Sequence, residues 1–353
     1  MMDEKAREIG VALVGLGMVA PVYVEALADL APSVRLRGVM SRSPESAAVF
    51  RNRNADSLGE DYRLYASLEE VAGDISVDLA ILATPPDARR EAVNLLADAG
   101  KHILMEKPVE RTLEASEALC ARCEAAEVQL AVMLQHRMRP AARWLAETLD
   151  SRDPGSLDAV EISVPWWRPQ AYYDEPGRGS YARDGGGVLI SQAIHTLDLA
   201  LTFTGPVREV LAMSATTGFH SMEAEDFVSA GLRYQCGAAG SLFASTACYP
   251  GRTEAIRLHY ASASATLSGN AAQLVHHDGT TLEFGADTGT GAGADPMAFS
   301  SDWHREMISG FVEAIRTGSA PPVSGRDALE VHRLLHALEK SAAAGSWYAV
   351  PRA

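Results

Sequence analysis

The chain reads as an α/β protein of two domains, and three observations point there. Its 353 residues exceed what a single hydrophobic core usually holds. Over the first third, short apolar runs alternate with helical patterns, the signature of βα units and a parallel sheet. From about Leu157 onward, strand patterns follow one another with glycine and polar residues between them. We draw the boundary after Gln135, giving a dinucleotide-type first domain over 1–135 and a second α/β domain over 136–353.

Composition excludes several functions. A hydrophobic fraction of 47% and a charged fraction of 22% are ordinary for a globular chain. The net charge of −15 argues against a broad nucleic-acid or anionic-membrane surface, since either needs clustered Lys and Arg. The charged opening around Asp3 and Lys5 carries no signal-peptide core, and no run approaches a membrane span, so a cytoplasmic location is expected. Cys120, Cys123, Cys236 and Cys248 read as reduced thiols, because the Cys120–Cys123 spacing sits inside a helical pattern without further metal ligands nearby. No metal-ligand set, nucleophile elbow or phosphate-loop motif is present, so the chemistry must come from a cofactor.

Ile9 to Val14 is a buried strand running into Gly15-Leu16-Gly17-Met18-Val19-Ala20, with a helix expected from Pro21 to Leu30. This is G-x-G-x-x-A in the context it needs: Gly15 makes the tight turn, Gly17 lets backbone approach a pyrophosphate, and Ala20 lets helix and strand pack closely. The helix start offers free N–H donors to the phosphates. The next strand, Arg35 to Met40, ends in Ser41-Arg42-Ser43 with no carboxylate to accept from a ribose 2′-hydroxyl. Ser41 and Arg42 suit a 2′-phosphate instead, which favours NADP(H) over NAD(H). A strand from Asp78 to Ala83 then delivers Thr84-Pro85-Pro86 to the edge where loops of a parallel sheet line the ligand crevice. A helix over Ala88 to Ala99 and a strand from His102 lead to Glu106-Lys107-Pro108, whose lysine is braced at a strand end rather than solvated. After a helix from Leu113 to Ala126, a strand over Gln129 to Leu134 brings Gln135 to the same edge.

The second domain opens with a helix over Pro140 to Leu149 and an alternating strand over Leu157 to Pro165. The densest aromatic cluster follows, Trp166-Trp167-Arg168 through Tyr172-Tyr173; its rings suit a sugar face, and Arg168 suits a hydroxyl or carboxylate. Gly185-Gly186-Gly187 breaks the backbone, and an α-helix from Val188 would align Ser191, His195 and Asp198 as a polar stripe, with Gln192 beside it. Such a stripe must face a cavity or a hydrogen-bonded network. Strands over Val207 to Thr216, Asp226 to Gln235 and Ala239 to Ala247 carry many small residues, a flat face that predicts a homodimer or homotetramer joined through the sheet. Arg257 to Leu267 and Gln273 to Phe284 complete the strands, and Gly285 to Asp295 reads as a mobile loop. Trp303, Met307, Phe311 and Ile315 mark one apolar helix face, with His304 beside it in a solvated or capping place, and Asp327 caps a last amphipathic helix.

In these pieces the chain resembles the Gfo/Idh/MocA family of nicotinamide-dependent oxidoreductases. The matching stretches are Gly15 to Ala20, Ala83-Thr84-Pro85-Pro86, Glu106-Lys107-Pro108, the glycine run, and Ile194-His195-Thr196-Leu197-Asp198. The resemblance implies a Rossmann domain followed by an α/β domain with a large, open, mainly antiparallel sheet. It implies that Lys107 sits beside the nicotinamide and that His195 reaches the substrate hydroxyl. One departure is visible: inositol-type relatives carry Asp four residues before the histidine, where Ser191 stands here.

The function expected is hydride transfer between a nicotinamide, NADP(H) before NAD(H), and a secondary alcohol or ketone of a sugar, polyol or related cyclic compound. Lys107 and His195 are the catalytic candidates. Gly15, Leu16, Gly17, Met18, Val19, Ala20, Ser41, Arg42, Thr84, Pro85, Pro86, Glu106, Lys107 and Gln135 are the cofactor candidates, and Trp167, Arg168, Ser191, Gln192 and His195 the substrate candidates. An aromatic dihydrodiol dehydrogenase is the second enzymatic reading. A non-catalytic nucleotide sensor is a third, disfavoured because a sensor needs neither Lys107 nor His195.

Overall fold

The structure is a computed structural model that describes residues 7–58, 62–286 and 300–352. These group into two compact units, the first within Met1–Glu110, Glu114–Gln135 and Ser300–Ala328, the second within Arg111–Leu113, His136–Phe299 and Leu329–Ala353. Among the described residues no helix is long and apolar enough to cross a membrane.

The first unit begins with β1 (Ile9–Val14), α1 (Ala20–Asp29), β2 (Val34–Met40), α2 (Pro44–Arg53) and α3 (Ala55–Leu58). It continues through β3 (Arg63–Tyr65), α4 (Leu68–Gly73), β4 (Leu79–Leu82), α5 (Arg89–Asp98), β5 (His102–Glu106), α6 (Leu113–Ala125) and β6 (Leu130–Met133). Six parallel strands stand in the order β3-β2-β1-β4-β5-β6. The order reverses between β1 and β4, the place where doubly wound sheets bind ligands at their carboxyl ends. β1, β4 and β6 are buried along their whole length, which is why they read as unbroken apolar runs.

The second unit holds α7 (Pro140–Arg152), β7 (Leu157–Pro165), α8 (Gln170–Tyr173) and α9 (Ile194–Thr204), the last preceded by a π turn over Leu189–Ala193. β8 (Val207–Ala215), β9 (Phe227–Tyr234), β10 (Ala239–Ser245), β11 (Ala255–Tyr260), β12 (Ala263–Ser268), β13 (Ala271–His276) and β14 (Thr281–Phe284) follow. After α10 (Asp302–Thr317), the chain ends in α11 (Gly325–Ala344) and β15 (Tyr348–Ala349). The nine strands stand in the order β14-β13-β12-β11-β7-β10-β9-β8-β15, antiparallel except for β7 against β10. Burial alternates along β9 and β12, so one face of the sheet meets a core and the other turns outward.

Four readings need correction. The segment over Arg257 to Leu267 is two strands, as is the segment over Gln273 to Phe284: each folds as a hairpin, β11 with β12 and β13 with β14. The first turn is held from outside, Ala261 N donating to Ser156 O (2.9 Å) and Ser262 N to Pro154 O (3.1 Å). Residues 300–328 pack with the first unit, although the sequence reading gave everything after Gln135 to the second. Gln129 Nε2 there donates to Ala314 O (3.3 Å) and Ser319 O (3.1 Å), and the apolar face of α10 is buried through Trp303, Met307 and Phe311. His304 is not solvated but fully buried. The helix expected from Val188 opens as a π turn. The Gly285 to Asp295 reading lies outside the described residues from 287 onward.

The glycine run is set by close packing. A Cβ on Gly187 would lie 1.8 Å from Glu225 O, so only glycine fits. Val188 N donates to that same carbonyl (2.8 Å), while the Glu225 carboxylate accepts from Gly187 N and Leu189 N, both at 3.1 Å. Glu339 on α11 flanks the run from the other side, its Oε1 3.6 Å from where a Gly186 Cβ would sit, with Glu225 Oε2 at 3.9 Å.

Burial and the neighbouring Glu225 push Glu339 up to about 7, against the pull of Lys340. The folded state therefore holds this proton more tightly than the unfolded chain, whose glutamate titrates near 4.5. The contribution is fully present below pH 4.5 and is lost as pH rises through 7, a change of about 3 kcal/mol. Glu339→Gln should be more stable than the parent at pH 8 by up to that amount and equal to it near pH 4.5. Urea unfolding at the two pH values checks this, and a difference that does not change with pH would refute it.

Candidate functional site

In the first unit, each cofactor candidate stands at the carboxyl end of a parallel strand. Gly15 follows β1, Ser41 follows β2, Thr84 follows β4, Glu106 closes β5 and Gln135 follows β6. Gly15 has φ +96°, and a Cβ on it would come within 2.8 Å of the Ala83 carbonyl, so glycine is required by both conformation and contact. Gly17 is different: a Cβ there would meet nothing within 4 Å. No protein atom fills the space that a side chain there would enter. α1 starts with Pro21 in its first turn and without a side-chain cap on its N–H groups. Met18 is 49% exposed, an apolar chain left uncovered on the same loop as Leu16 and Val19.

Two buried polar atoms on this edge, Thr84 Oγ1 and Gln135 Oε1, have no hydrogen-bond partner among the described residues. Such groups normally find one, so they mark where a polar ligand belongs. Together with the uncapped helix start and the open space at Gly17, they fit a dinucleotide. Arg42 is exposed and Ser41 half-buried at the end of β2, while Ser43 turns away to cap α2, accepting from Ser46 N (3.1 Å).

Glu106 is anchored deep in the same unit. Its Oε1 accepts from Tyr23 Oη (2.9 Å) and its Oε2 from Lys107 N (3.2 Å). Burial raises its carboxyl above the usual range, opposed by the charge of Lys107 and the bond from Tyr23. His304 stands 3.9 Å from Oε1 and edge-on to Tyr23, and burial pushes its imidazole down to about 4. This places His304 inside the first unit as a neutral packing group. The half-buried Lys107 leads into a cis bond to Pro108.

Sequence reasoning missed Arg89, which fastens the two loops. Its guanidinium is 1% exposed and donates to Thr84 O through Nε (3.0 Å) and Nη2 (2.7 Å), and through Nη1 to the carbonyls of Glu106 and Pro108. Burial lowers this group to about 10. The signal was available: Arg89 falls on the face of α5 that buries Ala92, Val93 and Leu96, an odd place for a cation.

In the second unit, His195 lies in the first turn of α9, directly after the π turn that carries half-buried Ser191 and buried Gln192. It is 8% exposed and stacks on His136, ring centroids 4.6 Å apart and planes inclined by 28°. Asp198, 1% exposed, is claimed by Arg137, which donates from Nε to Oδ2 (2.8 Å) and from Nη2 to Oδ1 (2.6 Å). His136 Nε2 lies 2.8 Å from Arg139 Nη2, and Arg139 Nη1 donates to Glu254 Oε1 (2.6 Å). The polar stripe thus faces a network, in which His136, Arg137 and Arg139 went unrecognised beyond their place near the strand end.

The aromatic cluster divides. Arg168 is buried, its guanidinium against the rings of Trp166 (5.3 Å) and Tyr172 (5.8 Å), while Nη1 donates to Trp167 O (2.9 Å). Gln192 Nε2 donates to Tyr172 Oη (3.3 Å), and Gln192 Oε1 is buried without a hydrogen-bond partner among the described residues. Trp167 points elsewhere, edge-on to Phe219 (6.1 Å) and Tyr249 (5.4 Å), which are 64% and 78% exposed. A buried His220 ties this loop down, with Nδ1 2.7 Å from Asp226 Oδ2 and Nε2 donating to Arg168 O (2.7 Å). Among the described residues, no group of three or more His, Cys, Asp or Glu side chains is arranged to hold a metal.

Comparison with known proteins agrees with this geometry. The family profile described as an oxidoreductase family with an NAD-binding Rossmann fold matches residues 9–134, and the Gfo/Idh/MocA C-terminal domain matches 142–266. A 1,5-anhydro-D-fructose reductase of Ensifer adhaerens is 29% identical over 202 residues; the match spans 56% of this chain and only 58% of that protein's length. A D-xylose 1-dehydrogenase (NADP(+)) of Haloferax volcanii is 27% identical over 83% of this chain and 86% of its own. The crystal structure of the WlbA dehydrogenase from Bordetella pertussis with NADH and UDP-GlcNAcA superposes with a TM-score of 0.84, at 26% identity over 98% of this chain and 99% of that one. The six-stranded parallel sheet, the nine-stranded mixed sheet and the two matched domains make this chain a member of the Gfo/Idh/MocA family of NAD(P)-dependent oxidoreductases.

Proposed function

We propose that the chain is an NADP(H)-preferring dehydrogenase or reductase acting on a secondary alcohol, or its ketone, in a sugar, polyol or related cyclic compound. The carrying observation is the polar edge of the first unit, where open space at Gly17 adjoins an uncapped helix start and two unmatched buried oxygens lie on the loops after β4 and β6. Gly15 to Ala20 would hold the pyrophosphate, Thr84 to Pro86 and Gln135 would line the remainder, and Ser41 with Arg42 would take a 2′-phosphate. The bound nicotinamide supplies or accepts the hydride. His195 removes the proton from the substrate hydroxyl or returns it. Lys107, its backbone fixed by Glu106, stabilises the developing alkoxide. Relatives named for anhydrofructose and xylose support a sugar-type substrate, and the exposed rings beside Trp167 suit a sugar face. Ser191 and Gln192 are the substrate contacts we assign beside His195, with Arg168 fixing the loop that carries Trp167. The outward face of the second unit's sheet is where we place self-association into a homodimer or homotetramer.

The primary experiment is an absorbance screen of the purified protein with NADP and NAD against sugars, alditols, sugar acids and dihydrodiols; no reduced nicotinamide from any of them would sink the proposal. Gly17→Ala should weaken nucleotide binding in fluorescence titration while leaving the melting temperature of the nucleotide-free protein unchanged, since the added Cβ meets no protein atom within 4 Å. A melting temperature that falls with the affinity would mean the glycine serves packing instead. His195→Asn should lower kcat by about 10²-fold or more with cofactor Kd within about twofold, and full turnover in that variant would remove the proton-transfer role. Arg42→Glu should turn the cofactor preference toward NAD by about tenfold or more in kcat/KM; an unchanged ratio would show that Arg42 is only a solvated loop residue.

A further inference from the structure

We propose that His136 is a positioning residue for His195: a neutral imidazole, its tautomer set by Arg139, whose ring face stabilises the protonated form of His195. The inference deepens the proton-transfer role assigned above and rests on it. A histidine that takes a proton from a substrate becomes a cation and needs something to favour that charge. No carboxylate stands one turn before it, because that position is Ser191. Asp198 lies one turn after it and accepts from Arg137 through both oxygens, which offsets its charge. The group lying against the imidazole is instead the ring of His136, stacked at 4.6 Å.

A stacked imidazole can help or harm. A neutral ring presents an electron-rich face to a cation, whereas a second imidazolium at this distance would repel it. Arg139 decides which. A guanidinium has only donors, so at 2.8 Å its Nη2–H must be received by the lone pair of His136 Nε2. The proton of His136 then sits on Nδ1, and the site a second proton would need is occupied by a positive donor. His136 stays neutral while His195 gains and loses its charge. Arg139 is itself fixed by Glu254, whose other oxygen accepts from Trp166 Nε1 (3.2 Å), and His136, Arg139 and Glu254 are 7%, 3% and 3% exposed. Arg137, Asp198, Arg139 and Glu254 are among the charged groups that bear on the pair, together with Lys107 in the role assigned above.

The test is a histidine-labelled NMR titration of the whole protein, following the ring Cε1–H signals from pH 5 to 9, with the His195 signal assigned by its loss in His195→Asn. His136→Ala should weaken proton binding at His195 by about tenfold, while His136→Phe, which keeps a ring face and drops the nitrogens, should stay within about twofold of the parent. In the parent, the His136 signal should show no protonation across this range. An unshifted His195 in the Ala variant, or a His136 that titrates, overturns the inference. If the Ala variant does not fold, the Phe variant and the parent His136 signal still decide it. The assigned role of His195 falls separately: full turnover in His195→Asn removes it, whatever the titration shows.

Discussion

The second unit is organised by how closely two backbones approach. Gly187 and Glu225 are in contact through main-chain atoms, with no room for a Cβ between them. That closeness lets Glu225 satisfy three consecutive N–H groups at the start of the helix, two with its carboxylate and one with its carbonyl. The next turn is wide, a π turn, and the extra residue it absorbs sets which way His195 points as α9 begins. The helix that carries the catalytic candidate is thus anchored at its start by a residue thirty positions away from His195 in sequence. Burial raises the Glu225 carboxyl, and the bonds from Gly187 and Leu189 oppose that shift.

Three guanidinium groups follow a common logic. Arg89, Arg137 and Arg139 each sit on or beside a segment that carries a site candidate, and each spends several donors on fixed acceptors. Replacing such an arrangement with apolar residues would usually cost little stability, so net stabilisation is not a sufficient reason for it. What a planar guanidinium adds is direction: its N–H groups lie in one plane and hold two or three partners at set angles. Arg89 holds the Thr84 loop to the Glu106–Pro108 loop; Arg137 holds α9 to the segment after β6; Arg139 holds His136 to Glu254. Arg89 and Arg139 do this as buried charges, while the Arg137 side chain keeps 20% of its surface exposed.

Where the sequence could be read, the determinants were local. The glycine motif after β1 declares its turn and its helix within six residues, and the apolar runs of β1, β4 and β6 declare two-sided burial. Gly17 was read as a place for ligand backbone approach, and the open space around it agrees with that reading. The failures were equally physical. Nothing in Leu189-Ile190-Ser191-Gln192-Ala193 announces a π turn, because its composition suits an ordinary α-helical turn equally well. The Ala261-Ser262 corner lacks Gly, Pro, Asn and Asp; Ser156 and Pro154 make the turn from another segment. His304 looked like a helix-start residue open to water, and only the packing of α10 on the first unit buries it against Tyr23. The stretch from Ser43 to Asp74 passed unread although its caps were present, Ser43 before Pro44 and Ser67 with Glu70, because only Ala47 and Phe50 of α2 are buried and the periodicity is faint.

The unmatched oxygens carry the last step. Leaving a buried polar group without a partner costs about 1–3 kcal/mol, and a native chain keeps few of them. Thr84 Oγ1 and Gln135 Oε1 stand on the strand edge of the first unit, and Gln192 Oε1 stands in the turn that leads to His195. Lying where the strand edge and the turn before His195 carry the site candidates, these three are best understood as halves of hydrogen bonds whose other halves arrive with ligand. On that view the protein gives up stability when empty in order to recover it as affinity, and binding of nucleotide and substrate should stiffen the loops that bear these three residues.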